Sequence, residues 1–373
     1  MEYGIMFFSS ATGKAGANPY RLLLEAARFA DTHGFACVWV PERHFHEFGG
    51  LFPNPAVTGA ALATITERLQ IRAGSLISPL HHSIRIAEDW AVVDNLSGGR
   101  IALSFGSGWN VNDFVFFPER YERRQAVMYR QIEEVRRLWS GDTTTRKNSF
   151  DKDVVLTCYP KPVQDELPIW VTSSGHVDTF ISAGKIGANI LTHLIGQDLE
   201  TLSEKIARYR TARGEAGYDP KAGTVTLMLH TYLGTDAEAV RAKVRTPFRE
   251  YLRSAVKLEV KAAKGGGSIS GGHKIEEHEI RPEDFEDLLD AAFDRYYRRG
   301  SLLGTVSSCK GLVWELEELG VNEIACLIDF LDDPDAVLEG LKHLDALRGI
   351  TSGETRQRAA REALDVFMDD LDE

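Results

Sequence analysis

Residues 35–50 read FACVWVPERHFHEFGG, an apolar run that ends in a loop crowded with ionisable side chains. The next stretch, NPAVTGAALATITERL from 54 to 69, carries its apolar residues at helical spacing. Strand, loop and helix in this order define a unit, and the unit recurs. GIMFF precedes PYRLLLEAARFADTHG, IRAGSLI precedes SIRIAEDWAVVDNLSGG, and IALSF precedes ERRQAVMYRQIEEVRRLW. PIWVTSS, ANILTHLI, TVTLMLHTYL and EIACLIDF, each with its own helix, bring the count to eight. Strands this apolar need cover on both faces, so eight alternating units predict an α/β fold, a (β/α)8 TIM barrel, in preference to an open doubly wound sheet.

Two stretches break the rhythm and are expected to be insertions: residues 141–167 after the fourth helix, and residues 255–303 after the seventh strand. The barrel domain is expected over 1–349 and a charged, weakly amphipathic tail with an acidic end over 350–373. A chain of 373 residues is within the range that α/β barrels reach as one domain.

Composition narrows the function. With 43 basic and 55 acidic residues the net charge is -12, which argues against a broad nucleic-acid footprint. The start MEYGIMFFSS has no basic segment leading into a longer apolar stretch, and no run of 18 apolar residues occurs. A cytoplasmic protein with no membrane partner is therefore expected. Cys37, Cys158, Cys309 and Cys326 form no CxxC pair, which disfavours a zinc ribbon or a disulfide framework, and Cys37 and Cys326 are expected to be buried.

In a barrel of this kind chemistry sits at the carboxyl ends of the strands, which places His44 or His46 of PERHFHEFGG at the mouth. If that segment is extended, HFH presents two imidazoles to one metal, with His193, His230 and Asp329 as further ligands. Against this, barrel hydrolases of that kind carry HxH after the first strand, and here it follows the second. After strand three, Gly74 and Ser75 permit close approach of a flat ligand, or equally mark a tightly packed strand. After strand four, Gly106, Ser107 and Gly108, followed by Trp109 and Asn110, would bring backbone amides to a ring or phosphate. This G-x-G is not a dinucleotide fingerprint, because Val111 stands at the third glycine position. After strand five, Ser173, Ser174 and Gly175 precede a helix, where hydroxyls and free amides suit an anion, although simple capping explains serine there too. KGGGSISGGHK approaches a Walker loop, but His273 occupies the lysine position, so a mobile loop is expected.

Taken together, VWVPERHFHEFGGLFPNP, SPLHHSIRIAEDWAVVDNLSGGRIALSFGSGWNVNDF and PIWVTSSG resemble the bacterial luciferase-like monooxygenases over roughly residues 1–347. LLDAAFDRYYRRGSLLGTVSSC and GVNEIACLIDF look like the subgroup found with polyketide and nonribosomal peptide assembly lines. The resemblance implies reduced FMN at the barrel mouth, oxygen addition at the flavin C4a carbon, and use of the resulting peroxide to oxygenate a small-molecule or carrier-protein-bound substrate. Deazaflavin also serves the wider family.

On that template His44 is the catalytic residue, handling a proton beside the flavin, with His46 and Glu47 orienting it or lining the mouth. Gly74 and Ser75, often cis-linked in the family, abut the isoalloxazine; Gly106, Ser107, Trp109 and Asn110 run alongside it; Ser173, Ser174, Gly175 and Thr179 hold the phosphate; His193 is a flavin-side residue. Ser107 replaces an arginine that grips the phosphate in luciferase itself, which implies weak FMN binding and a separate flavin reductase as partner. A homodimer and a mobile lid bearing His273 and Lys274 are implied in the same way. The alternatives are the metal-dependent barrel hydrolase and a noncatalytic flavin-binding protein.

Overall fold

The computed structural model describes residues 1–8, 18–264 and 282–352. Eight parallel strands close into a barrel: β1 (Glu2–Met6), β2 (Cys37–Val40), β3 (Gln70–Ile77), β4 (Ile101–Gly106), β7 (Ile169–Thr172), β8 (Asn189–His193), β9 (Val225–Leu233) and β11 (Glu323–Leu327). Each pairs in parallel with its neighbour, and β11 returns to β1 through the register Glu2↔Glu323 to Met6↔Leu327. Helices cover the outside, among them α1 (Arg21–Thr32), α2 (Pro55–Ala63), α3 (Ser83–Ser97), α4 (Arg124–Trp139), α5 (Val177–Lys185), α6 (Leu199–Glu215) and α10 (Pro334–Thr351). This is the TIM barrel that the alternating units predict.

Both interruptions carry structure of their own. The polar stretch after α4 folds into an antiparallel hairpin, β5 (Thr144–Lys147) with β6 (Asp153–Leu156). After β9 come α7 (Ala237–Lys264), α8 (Pro282–Arg299), the short β10 (Leu302–Gly304) and α9 (Val306–Glu318). α7 and α8 are tied by ion pairs, Arg241 to Asp294 at 2.6 Å, Arg245 to Asp290 at 3.0 Å and Arg253 to Glu286 at 2.8 Å. His273, Lys274 and most of the glycine-rich run lie outside the described residues, as does the tail from 353. Residues 350 and 351, assigned to that tail from sequence, instead complete α10. All four cysteines are buried and free. Among the described residues no helix is long and apolar enough to cross a membrane.

The amino-terminal half of the barrel interior is charged, which the apolar strand pattern conceals. Arg72 of β3 donates to both oxygens of Glu323 on β11, at 2.7 and 2.8 Å, with both residues buried. The guanidinium lies 4.8 Å from the Trp39 ring centroid and 4.3 Å from that of Trp170, and Thr226 donates its hydroxyl to the same carboxylate at 3.1 Å. Two indoles thus flank a buried ion pair inside the barrel. Removing one member of such a pair strands the other charge, at a cost of roughly 3 kcal/mol or more. Glu323→Gln is therefore expected to lower the unfolding free energy by about 3 kcal/mol in urea titration, and adding Arg72→Met to recover part of that loss. A Glu323→Gln loss below about 1 kcal/mol would show that water reaches the pair.

Candidate active site

At the carboxyl end of the barrel the strands surround a cavity of about 240 Å³. One side is poor in side chains: Gly74 and Ser75 of β3, Gly106 of β4, Ser107 and Gly108 beyond it, and Ser174 after β7. The other side is aromatic and ionisable: Phe8 after β1, Arg43, His44 and Phe48 after β2, and Tyr251 from α7. Trp109, Asn110, Asp113 and His193 also line it.

The ionisable side is organised by Glu42, whose side chain is buried. Its Oε1 accepts hydrogen bonds from His44 Nε2 at 2.9 Å and His81 Nε2 at 2.6 Å, and its Oε2 accepts from the Ile77 amide at 2.7 Å. Burial alone would raise the carboxyl pKa; the His44, His81 and Ile77 bonds outweigh it and hold Glu42 below the usual range. A carboxylate in that state fixes the imidazole tautomer, so His44 keeps its Nδ1 lone pair free for a proton.

The HFH pair is not arranged as the chelate that the hydrolase alternative would need. Phe45 sits at φ 56, in the left-handed region, so residues 44–46 turn where an extended segment was required. His46 Nδ1 accepts the Phe48 amide at 3.0 Å, a contact separate from the Glu42 network. Of the further ligands considered, Asp329 takes the Phe8 amide on both oxygens at 3.0 Å. His230 is boxed by Phe248, Tyr251 and Phe330 at ring distances of 4.6, 4.4 and 5.6 Å, and burial drives its pKa down to about 3. Among the described residues no three His, Cys, Asp or Glu side chains gather to hold a metal ion. The turn at Phe45 leaves its ring exposed beside that of Phe116, at 5.6 Å, and the Phe116 ring lies 5.1 Å from that of His44.

The side-chain-poor wall has two causes. The Gly74–Ser75 peptide is cis, and a Cβ on Gly74 would stand 2.8 Å from the Trp39 ring, so the glycine is required by packing inside the barrel as much as by any ligand. Gly108 adopts φ 78, and a Cβ there would meet Ile77 at 2.8 Å and Phe114 at 3.0 Å. Behind the wall Thr172 Oγ1 joins Ser75 Oγ and Ser104 Oγ, each at 2.6 Å. Asn110 caps the following turn by accepting the Asn112 amide at 3.2 Å, and its Nδ2 donates to Asp113 at 2.8 Å.

At the β7 loop, Ser174 is exposed to the cavity, whereas Ser173 is buried and accepts the Gly175 amide at 3.3 Å. Gly175 takes φ 105, and α5 begins at Val177, with no side chain, that of the preceding His176 included, capping its first amides. Thr179 donates its amide to His176 and does not line the cavity. A cation unseen in the sequence stands here: Lys205 Nζ of α6 lies 3.6 Å from the position a Gly175 Cβ would take, and donates to Gln197 Oε1 at 2.8 Å. Burial and Lys205 together push His193 down to about 4, and its Nδ1 accepts the Ile195 amide at 3.1 Å, so a neutral ring faces the cavity.

Residues 1–323 match the luciferase-like monooxygenase family. The chain belongs to that family and is a flavin-dependent oxidoreductase. It is 26% identical over 325 residues to the oxygenase component of the flavin-dependent trigonelline monooxygenase of Acinetobacter baylyi, covering 83% of each chain. To an F420-dependent glucose-6-phosphate dehydrogenase of Amycolatopsis mediterranei it is 30% identical over 205 residues, 52% of this chain and 60% of the relative. Among solved structures, a Streptomyces bottropensis monooxygenase matches with TM-score 0.73 at 21% identity, covering 93% of this chain and 98% of that one. The oxygenating constituent of 3,6-diketocamphane monooxygenase from Pseudomonas putida, solved with FMN, matches at 0.70 and 17%, covering 92% and 96%. These two likenesses establish the fold.

Asp113 is a titratable group that the sequence left without a role. Burial raises its pKa to about 6, against the opposing pull of His44 and Arg43 and with the push of Glu42. The folded chain holds this proton more tightly than the unfolded one, so its contribution to stability is full below the ordinary value of 3.8 and is lost as pH rises through about 6. Asp113→Asn is expected to gain stability relative to wild type between pH 4, at the foot of the window, and pH 8, about two units above it, read as the difference in urea midpoints. An unchanged difference would place Asp113 in bulk solvent.

Proposed function

We propose that this chain is the oxygenase component of a two-component FMN-dependent monooxygenase. It takes reduced FMN from a separate flavin reductase and oxygenates a natural-product intermediate, free or held on a carrier protein. By the same family resemblance it acts in the cytoplasm as a homodimer. The observation that carries the reading is one cavity that joins a side-chain-poor wall, fit for a flat ring, to an imidazole held by a buried carboxylate. FMN is preferred to deazaflavin because the likeness to the trigonelline enzyme runs over 83% of the chain, against 52% for the F420-dependent relative.

FMN bound here would supply the activation of dioxygen. Ser174, the free amides at the start of α5 and the Lys205 ammonium would hold its phosphate, with Lys205 offsetting the loss implied by Ser107. Gly74, Ser75, Gly106, Ser107, Trp109 and Asn110 would border the ring, and a neutral His193 would pack beside it without adding charge. His44 would take and return one proton at Nδ1, while Glu42 stabilises the imidazolium that forms. Phe45 and Phe116, whose rings lie 5.6 and 5.1 Å from that of His44, would help keep water from it.

General acid–base action of this kind is worth about 100-fold or more. His44→Asn, supplied with reduced FMN and a candidate substrate, is expected to lose at least about 100-fold in kcat with the Kd for oxidised FMN changed less than about threefold. Equal turnover by wild type and variant would remove His44 from the chemistry.

A further inference from the structure

Arg43, between Glu42 and His44, has no part in the chemistry described above, yet it faces the same cavity. Its stem is clamped: a Cβ on Gly49 would stand 2.8 Å from Arg43 Cδ and 2.9 Å from Cγ, and Gly49 holds φ 77 to clear it. Its guanidinium carbon lies 3.9 Å from the Phe8 ring centroid and 5.3 Å from that of Phe48. The head group is therefore positioned by packing and by two aromatic faces.

Unlike Arg72, which is closed by Glu323, Arg43 is neither ion-paired nor hydrogen-bonded through its side chain among the described residues. Asp113, Asp329 and Tyr251 act on it only at longer range. A half-buried cation with no counter-ion costs several kcal/mol unless something completes it. A planar fork of donors preorganised in this way matches a carboxylate in bidentate fashion.

Which anion it awaits follows from the division of the cavity. The flavin reading, on which this step rests, assigns the ring and phosphate to the Gly74, Gly106 and Ser174 side. Arg43 stands on the opposite side with Phe48 and Tyr251, whose ring centroids are 5.3 Å apart. We propose that the substrate carries a carboxylate, or an equally delocalised oxyanion, that pairs with Arg43 while its flat apolar part rests against Phe48 and Tyr251. His44, the next residue, then lies beside the atom to be oxygenated, so Arg43 fixes which substrates are accepted and how they are turned.

The test uses benzoate and its neutral isostere benzamide, titrated calorimetrically into FMN-free and FMN-saturated protein. Benzoate is expected to bind at least about tenfold more tightly than benzamide in both. The preference is expected to vanish in Arg43→Met and to persist in part in Arg43→Lys, with benzamide affinity unchanged. No advantage for benzoate in wild type, including failure of both probes to bind, overturns the proposal, and so does a preference that survives Arg43→Met. The wild-type comparison stands even if a variant fails to fold. Should FMN itself not bind while benzoate keeps its advantage, the flavin placement fails and the Arg43 assignment remains.

Discussion

A single buried carboxylate holds the working end of this barrel together. Glu42 accepts His44, His81 and the Ile77 amide at once, tying the turn after β2 to the end of β3. Each bond to an ionised acceptor is stronger than a neutral one, and because the Glu42 side chain is fully buried, losing any of them would leave its carboxylate short of a partner. The positions of His44, of Arg43 one residue away, and of Ile77 packed under Gly106 and Gly108 follow from that anchor.

Charge is divided along the barrel axis. Below, Arg72 and Glu323 neutralise each other between Trp39 and Trp170 and serve structure. Above, the cations are left open: Arg43 over phenylalanine rings on one side of the cavity and Lys205, held by a neutral amide, beside the β7 loop on the other. Of the two, Arg43 is the costlier to leave without a partner, because Lys205 is partly solvated and already donates to Gln197. Under the proposed placement, a flavin phosphate at Lys205 and a substrate anion at Arg43 would give both a partner, with the reacting centre between them.

The strand–helix alternation was legible because parallel strands buried on both faces read as short apolar runs, and the loops after β3, β4 and β7 betray themselves by their small residues. Less could be read where meaning depends on distant partners. Arg72 and Glu323 look like polar interruptions of apolar strands until the barrel closes and brings β3 to face β11. HFH invites a metal reading only while the segment is taken as extended, and the left-handed turn at Phe45 carries no sequence signal. Glu42 and Arg43 were in view throughout, but their roles come from His81 and from the gap at Gly49. The lysine proposed to offset the missing arginine sits on α6, in no motif at all.

The structure of the FMN complex tests the central placement most directly. The expected result has the isoalloxazine against Gly74, Ser75 and Gly106, the phosphate at Ser174 and the first amides of α5, and Arg43 clear of the cofactor. A ring seated elsewhere, or a phosphate bound to Arg43, would contradict it.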